Sequence, residues 1–311
     1  MSFSKEIKKE LCNLELNDCC AKAKLSALFK ILSSVSLKQS KMLIVIRCFN
    51  PSIARRIKIL FKQLYNSDLD LKILKNTKLK KEHVYELVSN DDVKDILIDL
   101  GIYNNEKGFL NKVEYRIIKK NCCARAYLAG VFLACGSCNS PKLSNYHLEF
   151  AIKDEDFADH IISLLARFKI SAKKFKRRNQ FIIYFKKSDK ISDFLKLIGS
   201  LNALWNFEEI RVNKDFILSL NRLSNCENAN ELKILQTAKK HEEMIHKIYE
   251  LNLYSKLDIK LKEIVDLRLA HPEASLNELC NEFELRYHEK ITKSGLNHRF
   301  TKLEKVLNNY K

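Results

Sequence analysis

Ten cysteines and eight histidines are the residues of this chain most able to bind a soft metal or exchange thiols. Cys135-Gly136-Ser137-Cys138 has the C-x-x-C spacing of a metal or redox pair, yet no second such pair and no H-x3-H follows it, and a structural zinc takes four ligands. Two adjacent pairs remain, Cys19-Cys20 and Cys122-Cys123. Neighbouring residues on a helix point about 100° apart, an awkward geometry for one ion, so small, partly buried residues at helix starts are the ordinary reading. His241 and His246 stand five apart and do not stack on one helix face. The expectation is therefore no metal site, no cofactor and no thiol chemistry.

The cysteine pairs nevertheless mark a repeat. Cys19-Cys20-Ala21-Lys22-Ala23-Lys24-Leu25 returns as Cys122-Cys123-Ala124-Arg125-Ala126-Tyr127-Leu128, at an offset of 103. Each copy continues into a β-rich run, Met42 to Phe49 and Tyr146 to Ile152. An amphipathic segment follows, with Ile53, Ile57, Leu60 and Leu64 answered by Phe157, Ile161, Leu164 and Phe168 at helical spacing. Further strand candidates (Leu69 to Leu74 with His83 to Val88; Ala172 to Phe175 with Phe181 to Phe185) lead to a last helix ending at Leu100-Gly101 or Ile198-Gly199. The unit reads αββαββα, twice. Ala129, Gly130, Ala134 and Gly136 are small residues where a helix of one copy could approach its counterpart in the other.

After Trp205 the strand signals stop, and Asn221 to Asn230 reads as a polar break before a helical run from Glu231 to Leu251. Leu257 to Leu269 is a helix stopped by His271-Pro272. Ser275-Leu276-Asn277-Glu278 is a capping box opening a helix through Phe283, and Thr292 caps a last helix with Leu296, Phe300, Leu303 and Leu307 on one side. Its other side displays Lys293, Ser294, Asn297, His298, Arg299 and Lys302, donors suited to phosphates and base edges. Ser275 joins this set as the first residue of the preceding helix. The competing reading is a small helical bundle with a basic outer surface.

Leu128-Ala129-Gly130-Val131-Phe132-Leu133-Ala134-Cys135-Gly136 resembles the LAGLIDADG motif of homing endonucleases, whose paired motif helices join two αββαββα halves. Asn221-Arg222-Leu223, Asn225-Cys226-Glu227 and Ala229-Asn230 are similar to a segment characteristic of the WhiA family of bacterial regulators. The resemblance to that family covers nearly the whole chain. It implies a transcriptional regulator linked to cell division and chromosome segregation. Homing endonucleases place a metal-binding carboxylate at the eighth motif position of each half; here those positions are Leu32 and Cys135, with no Asp or Glu between Ala21 and Ser40 or between Ala124 and Leu148. Neither side chain replaces a hard oxygen ligand of Mg²⁺, so the expectation is a protein that is not an enzyme.

Charge narrows the partners. Lys and Arg number 56 against 38 Asp and Glu, a net +18 that favours polyanions. Met1 to Leu220 holds 40 bases and 24 acids, net +16, whereas Asn221 to Lys311 holds 16 and 14, net +2. The densest part runs from Lys169 to Lys190 and includes Lys173, Lys174, Lys176, Arg177 and Arg178; the first copy offers Lys72, Lys75, Lys78, Lys80 and Lys81. These are secondary DNA candidates, against the alternative of solvated hairpin tips.

The expected fold is α+β, a duplicated αββαββα LAGLIDADG-like domain with pseudo-two-fold symmetry over 1–220 (repeats about 1–103 and 104–220), then an all-α domain over 221–311 with a helix-turn-helix at about 274–307. The expected partner is double-stranded DNA, with RNA polymerase or a sigma factor as further partners and no membrane. With no secretory leader and no apolar run long enough to span a bilayer, a cytoplasmic, nucleoid-associated protein is expected. The rivals are an active metal-dependent endonuclease and an interaction scaffold with a basic face.

Overall fold

The computed structural model describes residues 2–38, 41–75, 83–89 and 92–309. They form two compact units, Met1–Lys214 and Asp215–Lys311. No described helix is long and apolar enough to cross a membrane.

The first unit opens with α1 (Phe3–Asn13), a helix that the repeat analysis did not anticipate. Phe3, Ile7 and Leu11 recur every fourth residue and bury one stripe of it. Then α2 (Asp18–Leu32), β1 (Ser33–Lys38), β2 (Lys41–Cys48), α3 (Pro51–Tyr65), β3 (Asp70–Lys75), β4 (His83–Val88) and α4 (Lys94–Asp99) complete the first αββαββα copy. A small hairpin, β5 (Tyr103–Asn104) with β6 (Gly108–Phe109), and the short α5 (Tyr115–Ile118) connect it to the second. That copy is α6 (Asn121–Cys135), β7 (Gly136–Cys138), β8 (Leu148–Ile152), α7 (Glu155–Arg167), β9 (Lys173–Arg177), β10 (Gln180–Phe185) and α8 (Ser188–Ile198).

Both sheets are antiparallel and share one topology, β1-β2-β4-β3 and β7-β8-β10-β9. The duplicated LAGLIDADG-like fold is thus present with its pseudo-two-fold relation. Local signals explain the element ends: Pro51 begins α3 behind the Asn50 cap, and Gly199 ends α8 at φ 82°, the left-handed region that glycine tolerates.

The motif helices α2 and α6 pack side by side, and small residues set their separation. A Cβ on Gly130 would lie 2.7 Å from the carbonyl oxygen of Lys24 and 2.8 Å from Cβ of Ala27, so only glycine permits this approach. Ala27 and Gly130 are equivalent positions at the repeat offset of 103. Lys24 is fully buried beside them, its Nζ donating to the Leu11 carbonyl at 3.0 Å. Desolvation lowers its pKa to about 8.

One long helix, α9 (Leu201–Glu250), follows. The expected polar break at Asn221 to Asn230 is helical: the segment has no Pro or Gly, and Asn or Ser in a solvated helix costs only about 0.5 kcal/mol each. The division expected after Leu220 lies slightly further along this helix than the Lys214/Asp215 division between compact units.

The second unit packs the end of α9 against α10 (Ile259–Ala270), α11 (Leu276–Tyr287) and α12 (Lys293–Asn308), with a 3-10 turn at Tyr254–Lys256. Its core includes Ile245, Ile248, Ile264, Val265, Leu279, Phe283, Leu296, Phe300 and Leu303. The caps read from sequence are in place. Ser275 and Glu278 form the reciprocal capping box, and Thr292 accepts from the Gly295 amide at 3.1 Å. The loop between α11 and α12 is shorter than Glu284 to Ile291, because α11 continues one more turn to Tyr287 before His288 at φ 56°.

Candidate nucleic-acid interface

In a helix-turn-helix the last helix must be held by an apolar stripe and leave its other side to solvent. α12 meets that requirement: Leu296, Phe300, Leu303 and Leu307 are buried, while Lys293, Ser294, Asn297, His298, Thr301, Lys302 and Lys305 are exposed. Lys293 and Lys302 carry no ion pair among the described residues. At the start of the helix Lys293 meets Ser275, the cap of α11, Asn277 of α11 and Lys233 of α9 around a cavity of about 230 Å³. Sequence reasoning did not single out Lys233 or Asn277; the N2 position of Asn277, beside the selected Ser275, was the available signal.

Arg299 does not stand with the others. The expectation that it faces outward is corrected: its side chain is only 14% exposed, its Nη1 donates to Glu263 Oε2 at 3.0 Å, and its guanidinium lies 5.0 Å from the Phe283 ring centroid. It follows Leu296 by three residues and precedes Leu303 by four, which puts it on the flank of the buried stripe, close enough for the guanidinium to fold inward onto an aromatic ring. Ser275 likewise has an internal task, since its hydroxyl accepts from the Glu278 amide at 3.2 Å.

His241 supports this helix from beneath. Its ring stacks on Phe300 at 3.7 Å and 8°, and its Nδ1 faces Arg268 Nη2 at 3.4 Å. Burial, then the charges of Arg268 and Lys240, push its pKa from 6.5 to about 4, with Glu304 opposing. Stability of the second unit should therefore be whole above pH 6.5 and fall toward pH 4, where it levels off. The unfolded chain protonates first, so the loss has a slope of at most about 1.4 kcal/mol per pH unit. Urea melts across this window should show a shallower decline in His241→Gln than in the parent chain; parallel curves would refute a neutral buried imidazole. His246 is exposed and does not join His241.

In the first unit the strand period splits the basic run that sequence grouped together. Antiparallel partners share a sheet face, and Lys173 is level with Tyr184 and Glu149, away from the helices. Lys174 and Lys176 are level with Ile183 and Phe181 on the helix-covered side. There Lys174 binds Asp159 at 2.6 Å and Glu155 at 2.9 Å, and Lys176 lies 5.6 Å from the Phe181 ring centroid. Arg177 is 3.5 Å from Glu149, and Arg178 occupies the turn at φ 54°. A single five-residue basic face is therefore not formed. Lys176, Arg177 and Arg178 do line a shallow groove of about 970 Å³ with Lys153 and Gln180. In the first copy Lys72 is level with Glu86, itself paired to Arg47 at 2.8 Å, and Lys75 ends β3; Lys78, Lys80 and Lys81 lie outside the described residues.

The places where a LAGLIDADG nuclease would hold carboxylates are the last residues of α2 and α6, Leu32 and Cys135. The Cys135 thiol donates to the Val131 carbonyl at 3.4 Å, and burial pushes its pKa to about 12. Cys138 is also raised to about 12 by burial. Among the described residues these two thiols have no further His, Cys, Asp or Glu close enough to complete a metal site. The adjacent cysteines, expected to be awkwardly placed for one ion, come together across the repeats: Cys19, Cys20, Cys122 and Cys123 have all four sulfurs within 4.8 Å of one another. Sequence spacing judged each pair alone, whereas the pairs converge only when the repeats pack.

Comparison with known proteins follows the same division. The chain matches the "WhiA N-terminal LAGLIDADG-like domain" over residues 18–103, the "WhiA LAGLIDADG-like domain" over 124–217 and the "WhiA C-terminal HTH domain" over 220–307. The chain belongs to the WhiA family. Proteins described as "Probable cell division protein WhiA" from Bacillus cytotoxicus and Bacillus licheniformis are each 40% identical to it over 306 residues, 98% of this chain and 96% of theirs. Full-length DUF199/WhiA from Thermatoga maritima has the same fold, with a TM-score of 0.61 at 21% identity over 99% of both chains. The N-terminal LAGLIDADG domain of DUF199/WhiA aligns at a TM-score of 0.51 and 22% identity, over 64% of this chain and 90% of that one. The WhiA assignment agrees with the duplicated scaffold and the C-terminal helix-turn-helix described above.

Proposed function

We propose that this WhiA-family chain is a sequence-specific DNA-binding transcriptional regulator acting in cell division and chromosome segregation, without catalytic activity. The observation that carries the reading is the exposed polar face of α12, where Lys293, Ser294, Asn297, His298 and Lys302 stand clear of the apolar stripe. Lys293 and Lys302 supply phosphate contacts and Asn297 is suited to an adenine edge. The groove at Arg177 and Arg178 is a secondary DNA contact. RNA polymerase or a sigma factor is the further partner of such a regulator, which would place it at the nucleoid. Leu32 and Cys135 at the ends of the motif helices offer no hard oxygen ligands for hydrolysis.

The test is a salt titration of DNA binding by the full chain and a Lys293→Ala/His298→Ala/Lys302→Ala variant, with circular dichroism to confirm folding. Binding should weaken on every duplex, and the slope of log K against log salt should flatten by about one unit per lost phosphate contact. Arg299 is left intact in this variant, since its side chain holds Glu263 and Phe283. Identical affinity and slope would transfer the reading to an interaction scaffold or to the β9–β10 groove. Mg²⁺-dependent nicking of supercoiled plasmid by the same preparation would overturn the non-catalytic reading.

A further inference from the structure

Cys19 and Cys20 are the second and third residues of α2, and Cys122 and Cys123 are the second and third residues of α6. The four positions are thus equivalent in pairs at the repeat offset of 103. Close packing of α2 on α6, enforced at Gly130, brings the two helix starts together. The sulfurs of Cys19 and Cys20 are 4.0 Å apart, those of Cys122 and Cys123 are 3.9 Å apart, and no two of the four are separated by more than 4.8 Å.

A tetrahedral zinc with Zn–S bonds of about 2.3 Å has sulfur–sulfur edges of about 3.8 Å. The pairs within each helix already have that spacing, and contraction of at most about 1 Å closes the remainder. From the geometry we infer that Cys19, Cys20, Cys122 and Cys123 form a structural site for one Zn²⁺ ion, joining the two halves at their pseudo-dyad. Binding forms four Zn–S bonds and releases four thiol protons to water, with no change of oxidation state. The resulting complex carries two negative charges. The positive ends of α2 and α6 and the bases Lys120 and Arg125, which flank the second pair in sequence, offset them.

The full reduced chain, stripped by chelator, should take up one Co²⁺ per molecule with a thiolate-to-metal charge-transfer band and the intense visible bands of a tetrahedral ion. Zn²⁺ should bleach that spectrum and raise the melting temperature of the first unit. Cys19→Ser/Cys122→Ser removes one ligand from each half at exposed positions, so the fold should survive, and it should weaken Co²⁺ binding by at least about 100-fold. Cys226→Ser/Cys280→Ser should bind as the parent does. A parent chain that gives no tetrahedral spectrum overturns the inference, as does uptake that is unchanged in the first variant. A loss of two hydrogens on air exposure, with no metal taken up in the reduced state, would identify a disulfide pair instead.

Discussion

Gly130→Leu should lower the stability of the first unit by at least about 3 kcal/mol, toward the upper end of overpacking costs. The Cβ alone would sit 2.7 Å from a backbone oxygen of α2 and 2.8 Å from Ala27, and a backbone cannot swing aside as a flexible side chain does. To admit leucine, α2 and α6 must separate along the seam where they touch. For a unit of this size the midpoint should fall by roughly 6 to 12 °C. Gly130→Ala should show a smaller loss of the same sign. On a solvated helix both substitutions would gain up to about 1 kcal/mol from helix propensity, so an unchanged or raised midpoint would disprove the close approach.

Arg268→Ala should have a comparable effect on the second unit. Arg268 is 2% exposed, and its Nη1 reaches the carbonyls of His271, Pro272 and Ala274, the last at 2.6 Å. Its Nη2 faces His241. One guanidinium thus closes the C-terminal end of α10, where the helix dipole favours a cation, and ties down the strand of chain that enters α11. Truncation removes the donor from three part-buried carbonyls and empties a buried site, a loss of about 3 kcal/mol for a group that makes several charged hydrogen bonds. Because the start of α11 places its cap Ser275 and Asn277 beside Lys293, DNA affinity should fall together with stability. Arg268→Lys should recover little, since a single ammonium cannot span three acceptors. Denaturant melts and a binding isotherm decide it: wild-type stability in Arg268→Ala would show that the loop does not depend on this side chain.

Much of the architecture was legible along the chain. The 103-residue offset, the alternation of strand and helix periods, the Ser275 and Thr292 caps and Pro272 are local signals, and local geometry obeys them wherever burial agrees. The charge-bearing face of α12 also follows from helical period, because Leu296, Phe300 and Leu303 define the opposite side. α1 went unread although its apolar residues recur every fourth position, since it has no counterpart in the second copy. Tertiary packing decided the rest. Arg299 folds inward because Glu263 and Phe283, distant in sequence, offer it a charge and a ring. Lys173 and Lys174 part company because neighbouring strand residues face opposite sides and α7 brings carboxylates to only one of them. The four sulfurs meet because two helix starts, distant in sequence, are brought together by packing at Gly130, and a distance between repeats is set by that packing rather than by spacing along the chain.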